Sequence, residues 1–279
     1  MDHVPIIGFG TYRLDNETTY KMVKEALKLG YRHIDTAQLY RNEESVGKAI
    51  NDIINDKSNN IRREDIFITT KIWLSNIKNG RKGIIKSIMN SLAKLNVSYI
   101  DLLLIHKPVN KKVLESWSVL EDIYNGKIKG LNGNIKRIGV SNFNIKHLQI
   151  IMKSSNKCEH RERVPVKPYA NQVEITPFCK QKEIVDFCEK NNIKIISHSS
   201  LTKGHMFHHI LLNELEEKYK RSSAQILLKW AILKRYCVLP RTSNKEHLKE
   251  NFNLNFCIDS KDIEKLDNIN EFYSTHKIY

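Results

Sequence analysis

Three apolar stretches of this chain each end on a polar side chain at nearly equal spacing. Asp35 closes HID, Lys71 closes FITTK and His106 closes IDLLLIH; Asp35 to Lys71 is 36 positions and Lys71 to His106 is 35. Each stretch is followed by apolar residues at helical period, so the repeating unit is a strand and then a helix. Strands this continuously apolar are buried on both faces, as in parallel sheets covered by helices. Parallel strands put all their C-terminal ends on one rim, and the three polar side chains therefore meet there.

The unit runs along the whole chain. Strands are predicted at IIGFG (6–10), HID (33–35), FITTKI (67–72), IDLLLIH (100–106), RIGVSN (137–142), ANQVEI (170–175), KIISHSS (194–200) and CVLPRT (237–242). A first helix opens at Asp15 and Asn16 and is closed by Gly30; others are predicted at about 43–54, 80–95, 112–124, 146–153, 181–190, 222–234 and 245–253. Segment 260–269 reads as one extra helix. Unbroken alternation gives the fold class: α/β, a (β/α)8 TIM barrel of parallel strands with one extra C-terminal helix, residues 1–279 forming a single domain. The alternative is an open doubly wound sheet, but no GxGxxG follows the first strand. Segments 130–136 and 154–164 read as polar insertions, the second with clustered charge.

At 41% hydrophobic and 28% charged residues the chain is expected to be globular and soluble. No apolar run is long enough to span a membrane and the N-terminus has no signal-peptide pattern, so the expected location is cytoplasmic. The five cysteines have no ligand spacing, and no metal role is assigned to them. The net charge of +15 could attract nucleic acid or an anionic cofactor, but its lysines are spread along the chain and no nucleic-acid motif accompanies them.

Tyr40 lies just beyond the Asp35 strand, and with Asp35, Lys71 and His106 it makes a sensible proton-donating set. A phenol titrates near 10; an adjacent ammonium would lower that value, with Asp35 holding Lys71 charged and His106 donating to a carbonyl oxygen. Taken singly, each residue reads as packing or as part of a buried ion pair. Four at matching strand ends read as a site.

These residues sit in YRHIDTAQLYRNEESVGKAI, and with TTKIW, DLLLIH, IGVSNF, NQVE and PRTSNKEHLKEN the chain resembles the aldo-keto reductase family over nearly its whole length. The resemblance implies an (α/β)8 barrel and reversible hydride transfer between a nicotinamide coenzyme, usually NADPH, and an aldehyde or ketone, without a metal. It implies Tyr40 as general acid, Lys71 and Asp35 as the pair that tunes it, and His106 orienting the carbonyl. Ser141, Asn142 and Gln172 match positions that bind the nicotinamide amide, and Gly10, Thr11 and Tyr12, with Asp35, match the first coenzyme-facing turn. His198, Ser199 and Leu201 follow the seventh strand. Arg241, Thr242 and Ser243 match the 2′-phosphate site, His247 follows in the next helix, and Glu250 and Asn251 match adenine-facing positions. Trp73 and Lys107 are expected at the substrate pocket.

The chain departs from the family pattern at four points. His198 replaces an aromatic residue that stacks on the nicotinamide. Lys107 replaces a pocket tryptophan. His247 replaces an arginine, so NADPH is expected to be preferred with NADH possible but weaker. An N-terminal hairpin common in the family has no counterpart before the first strand. The expected partners are a small aldehyde or ketone and neither nucleic acid nor membrane, with the chain a monomer. The competing reading is a coenzyme-binding regulatory or scaffolding barrel that contacts a protein through its basic surface and the charged segment 157–163.

Overall fold

The computed structural model describes residues 3–156 and 166–275. Eight parallel strands lie side by side in chain order: β1 Phe9–Gly10, β2 His33–Asp35, β3 Phe67–Ile72, β4 Leu102–Ile105, β5 Ile138–Ser141, β6 Ala170–Glu174, β7 Lys194–His198 and β8 Cys237–Val238. The sheet closes on itself, because Ile7 bridges Val238 in parallel: Gly8 N donates to Val238 O at 2.8 Å and Val238 N to Ile6 O at 2.9 Å. The first and last strands are thus shorter than the sequence predicts. Gly10 N still donates to Pro240 O at 3.0 Å, but Pro240 has no N–H to give in return, and the regular ladder ends there.

Helices α1 Asn16–Leu29, α2 Glu43–Asn55, α3 Leu74–Lys78, α4 Gly80–Leu95, α5 Val113–Tyr124, α6 Ile145–Asn156, α7 Lys182–Lys190, α8 Ile210–Tyr219, α9 Ser223–Leu233, α10 Lys245–Phe252 and α11 Ser260–Asp267 alternate with the strands. The Asp15 carboxylate accepts from Thr18 N at 2.8 Å to start α1, and Gly30, at φ 117°, ends it. Ser222 and Gln225 form a reciprocal capping box at the start of α9. The sequence reading passed over α3 and α8. The first is barely more than a turn, and α8 fully buries only Leu212 and Leu215, too sparse a stripe to stand out from its polar surroundings. The insertion expected at 154–164 lies largely outside the described residues.

Two cores result. The large one fills the space between the sheet and its helices. The small one fills the barrel, where Phe67, Leu102, Leu104, Ala170, Ile196, Cys237 and Leu239 meet. Side chains alternate along a strand, so residues two positions further on face the same interior. Lys71 follows Phe67 and Thr69, His106 follows Leu104, Gln172 follows Ala170 and His198 follows Ile196. An apolar plug at the bottom thus becomes a polar layer at the C-terminal rim. Among the described residues no helix is long and apolar enough to cross a membrane.

Candidate active site

Beyond β2 the chain makes a 3₁₀ turn, Gln38–Tyr40, that delivers Tyr40 to the rim and is closed by Arg41 at φ 59°. Two amides hold this turn. Gln38 donates to Ser87 O at 3.1 Å and Ser91 Oγ at 3.0 Å, while its carbonyl accepts from Trp73 N at 2.8 Å and Asn76 Nδ2 at 2.9 Å. Asn42 donates to Thr11 O at 2.9 Å and Leu14 O at 3.2 Å, and accepts from Thr36 Oγ1 at 2.9 Å. Both belong to the motif around Asp35, but a sequence does not show that an amide will bridge two loops.

Lys71 is wholly buried at the centre of the rim. Its ammonium donates to Asp35 Oδ1 at 2.5 Å, Thr36 O at 2.9 Å and the Tyr40 hydroxyl at 3.3 Å. Gln172 reaches from β6 to donate to the other Asp35 oxygen at 2.8 Å. The Tyr40 ring packs edge-on to His106, with centroids 5.7 Å apart, and His106 packs edge-on to Trp73 at 5.1 Å. Tyr12 lies on the other side of Tyr40 at 4.9 Å. The four residues expected to act together are together.

The electrostatics differ from the sequence expectation in one respect. Burial first, and then the Asp35 carboxylate and Tyr12, push the Tyr40 phenol well above its ordinary value of 10. The nearby ammonium does not turn Tyr40 into a ready phenolate. Lys71 is pushed down by its own burial, which Asp35 opposes. The result is a protonated phenol, able to give a proton and receiving a hydrogen bond from Lys71 at the oxygen that would be left charged.

A cleft of about 970 Å³ opens above this layer. It is lined by Gly10, Tyr12, Asp35, Tyr40, Trp73, His106 and Lys107 on one side, and by Ser141, Asn142, Gln172, His198, Ser199 and Leu201 on another. Arg241, Thr242, His247, Glu250 and Asn251 also line it. Lys71, Thr11 and Ser243 are not among the lining residues. Lys71 lies beneath, and the Thr11 hydroxyl is turned into the scaffold, 3.1 Å from Asp35 O. Lining residues that sequence reasoning missed include Arg13, Leu39, Lys203, His205, Phe207 and Glu216. All sit in loops or helices whose positions only the fold determines.

The amides and hydroxyls along the cleft form one network. Asn142, at φ 58°, donates to His106 O and to Ser141 Oγ, each at 3.0 Å, and its carbonyl pairs with His198 Nε2 at 3.0 Å. Ser141 Oγ donates to Gln172 O at 2.8 Å. At the other end, Asn244 caps α10 by accepting from Glu246 N and His247 N, so two of that helix's first N–H groups are already taken. An elongated cleft with amide and hydroxyl groups at one end and an exposed arginine at the other fits the donors a phosphorylated dinucleotide needs. Among the described residues no group of three or more His, Cys, Asp or Glu side chains could hold a metal ion.

Comparison with known proteins gives the same grouping. The sequence profile of the Aldo/keto reductase family matches residues 6–271. The glyoxal reductase of Bacillus subtilis is 34% identical over 271 residues, covering 96% of this chain and 90% of that protein. The methylglyoxal reductase DkgA of Escherichia coli is 32% identical, covering 95% and 90%. A crystal structure of a Gox0644 mutant in complex with NADPH superposes with a TM-score of 0.83 at 32% identity, covering 95% of this chain and 89% of that one. With a family match over almost its full length, relatives this similar and a closed barrel carrying the expected rim, this chain belongs to the aldo/keto reductase family.

Proposed function

We propose that this chain is an NADPH-dependent carbonyl reductase that converts small aldehydes or ketones into alcohols, with Tyr40 as the proton donor. The observation that carries this reading is the Tyr40 hydroxyl, protonated by its surroundings and hydrogen-bonded to a buried Lys71–Asp35 pair at the floor of the cleft. When bound, the nicotinamide supplies the hydride. Tyr40 gives its proton to the carbonyl oxygen, and the Lys71 ammonium stabilises the phenolate that remains. His106, held against Tyr40 and Trp73, orients the carbonyl by a hydrogen bond. Trp73 and Lys107 wall the substrate side.

Ser141, Asn142 and Gln172 would hold the nicotinamide amide, beside His198, Ser199 and Leu201. Gly10, Thr11 and Tyr12 would form the first turn beside it. Arg241 with Thr242 and Ser243 would bind the 2′-phosphate, and His247, Glu250 and Asn251 would surround the adenine. Arg241 carries the preference for NADPH because its planar fork can bind phosphate bidentately. The reading also has the chain working in the cytoplasm as a monomer. Glyoxal and methylglyoxal are the first substrates to try, given the two relatives named for them. The test is NADPH oxidation by the purified protein with a panel of aldehydes. Absence of turnover on the whole panel, with coenzyme still bound, would count against catalysis and for a binding role.

A further inference from the structure

We infer that the substrate end of the cleft is built for carbonyl compounds that carry a carboxylate, recognised by Arg13 and Lys107. This rests on the carbonyl-reductase reading and narrows its substrate class.

Arg13 was not expected at the site. It follows Tyr12 in the loop after β1 and lines the cleft. Its backbone is held at φ 59°, a left-handed conformation uncommon for a residue with a Cβ. Its guanidinium lies over the Tyr12 ring, 5.4 Å from the centroid, and Tyr12 in turn packs on Tyr40. The charge is therefore one aromatic ring away from the proton donor. Lys107 approaches from the other side. It follows His106, whose carbonyl is fixed by Asn142 Nδ2 at 3.0 Å, and the proline after it restricts its backbone to extended conformations.

Neither cation has an ion-pair partner among the described residues, although Lys107 is partly buried. Of the carboxylates lining the cleft, Asp35 is committed to Lys71 and Gln172. Glu216 accepts from Ser223 N, and Glu250 sits on α10; both belong to the α8–α10 side. The Tyr40 end thus presents two unneutralised positive charges flanking two aromatic walls, Tyr12 and Trp73. Lys107, partly buried and without a counter-ion, favours an anionic ligand over a neutral one, and Arg13, though exposed, offers a guanidinium that can take a carboxylate bidentately. The net charge of +15 adds long-range attraction for the same class of molecule.

The test compares 4-carboxybenzaldehyde with its methyl ester, which keep the ring and the reacting carbonyl and differ in charge. In the wild-type protein kcat/KM is expected to favour the acid by about tenfold, carried mainly by KM, with the ratio shrinking as NaCl rises from about 20 to about 300 mM. Arg13→Gln and Lys107→Gln should each lower the ratio about threefold, and the double variant should bring it near one. The NADPH Kd, read by fluorescence quenching, should not follow the ratio. Reduction of the ester as readily as the acid, or a ratio indifferent to both substitutions, overturns the proposal alone. Loss of NADPH affinity in step with the ratio also overturns it, since the cations would then serve the coenzyme phosphates. A protein that reduces neither aldehyde removes the carbonyl-reductase reading and this proposal with it.

Discussion

The Tyr40 hydroxyl receives a hydrogen bond from Lys71 at 3.3 Å, yet its surroundings make the phenol harder to ionise than free tyrosine. In the proposed reaction Tyr40 is thus an acid kept loaded, with the cation placed for the moment after proton transfer. Tyr40→Phe removes the proton and little volume. It should lower kcat for aldehyde reduction by roughly 10² to 10⁴-fold, the usual contribution of a general acid. NADPH Kd by fluorescence quenching should stay nearly unchanged, because the phenol is assigned to the substrate oxygen. A variant retaining most of its kcat would remove Tyr40 from the reaction.

Asp35→Asn tests the pair beneath. The substitution leaves a fully buried ammonium with no carboxylate against it. Breaking a buried pair in this way costs about 3 to 5 kcal/mol. Urea midpoints at pH 7 for both proteins measure the cost, and an unchanged midpoint would mean that the pair does not hold the rim together.

In the proposed reading, coenzyme choice turns on Arg241, which is exposed and lines the cleft. A charged hydrogen bond contributes about 1.5 to 3 kcal/mol, so NADPH should bind roughly 10 to 150-fold more tightly than NADH. Arg241→Met should remove most of that difference by weakening NADPH alone. Equal affinities in the wild-type protein would put the phosphate elsewhere.

His33 gives a pH dependence to stability. It is fully buried in the lower barrel, with Nε2 2.9 Å from Thr69 Oγ1, and burial followed by the Lys71 charge holds its pKa down at about 3 against an ordinary 6.5. The native state therefore keeps it neutral where the unfolded chain takes up a proton. Its contribution is complete above pH ~6.5 and is lost as pH falls from there toward 3, by up to ~1.4 kcal/mol per unit. The slope of unfolding free energy between pH 7 and 5 should be smaller in His33→Gln than in wild type, whatever the absolute stabilities.

At Gly47, α2 packs directly against the end of α4. A Cβ there would lie 2.3 Å from Leu95 O, a backbone atom that cannot swing away. Gly47→Ala should destabilise the protein by ~1 to 3 kcal/mol despite alanine's better helix propensity. A rise in Tm would show that the helices can separate at no cost.

Most of the barrel was legible because buried parallel strands write themselves as apolar runs and FITTKI spans β3 end to end. Asp35, Lys71 and His106 were legible for a related reason, since equal spacing of strand ends is a property of the chain itself. Arg13 was not, because its place above Tyr12 depends on a left-handed residue that no local pattern requires. The direction in which Tyr40 is shifted was hidden too. It is a balance of burial against charge, and only coordinates fix how much solvent the turn excludes. Helix α8 escaped because a stripe of two fully buried leucines is too weak a periodic signal.

The bridge between Ile7 and Val238 ties the completion of the sheet to the order of synthesis. At ~5 to 20 residues per second, the ribosome needs roughly ten to fifty seconds to get from one partner to the other. During that interval the edge of β1 has no neighbour on its outer side, and its backbone N–H and C=O groups are open to any passing strand. Exposure to aggregation should therefore be greatest in nascent chains that have not yet reached Val238, and such truncated chains, once released, should keep that open edge.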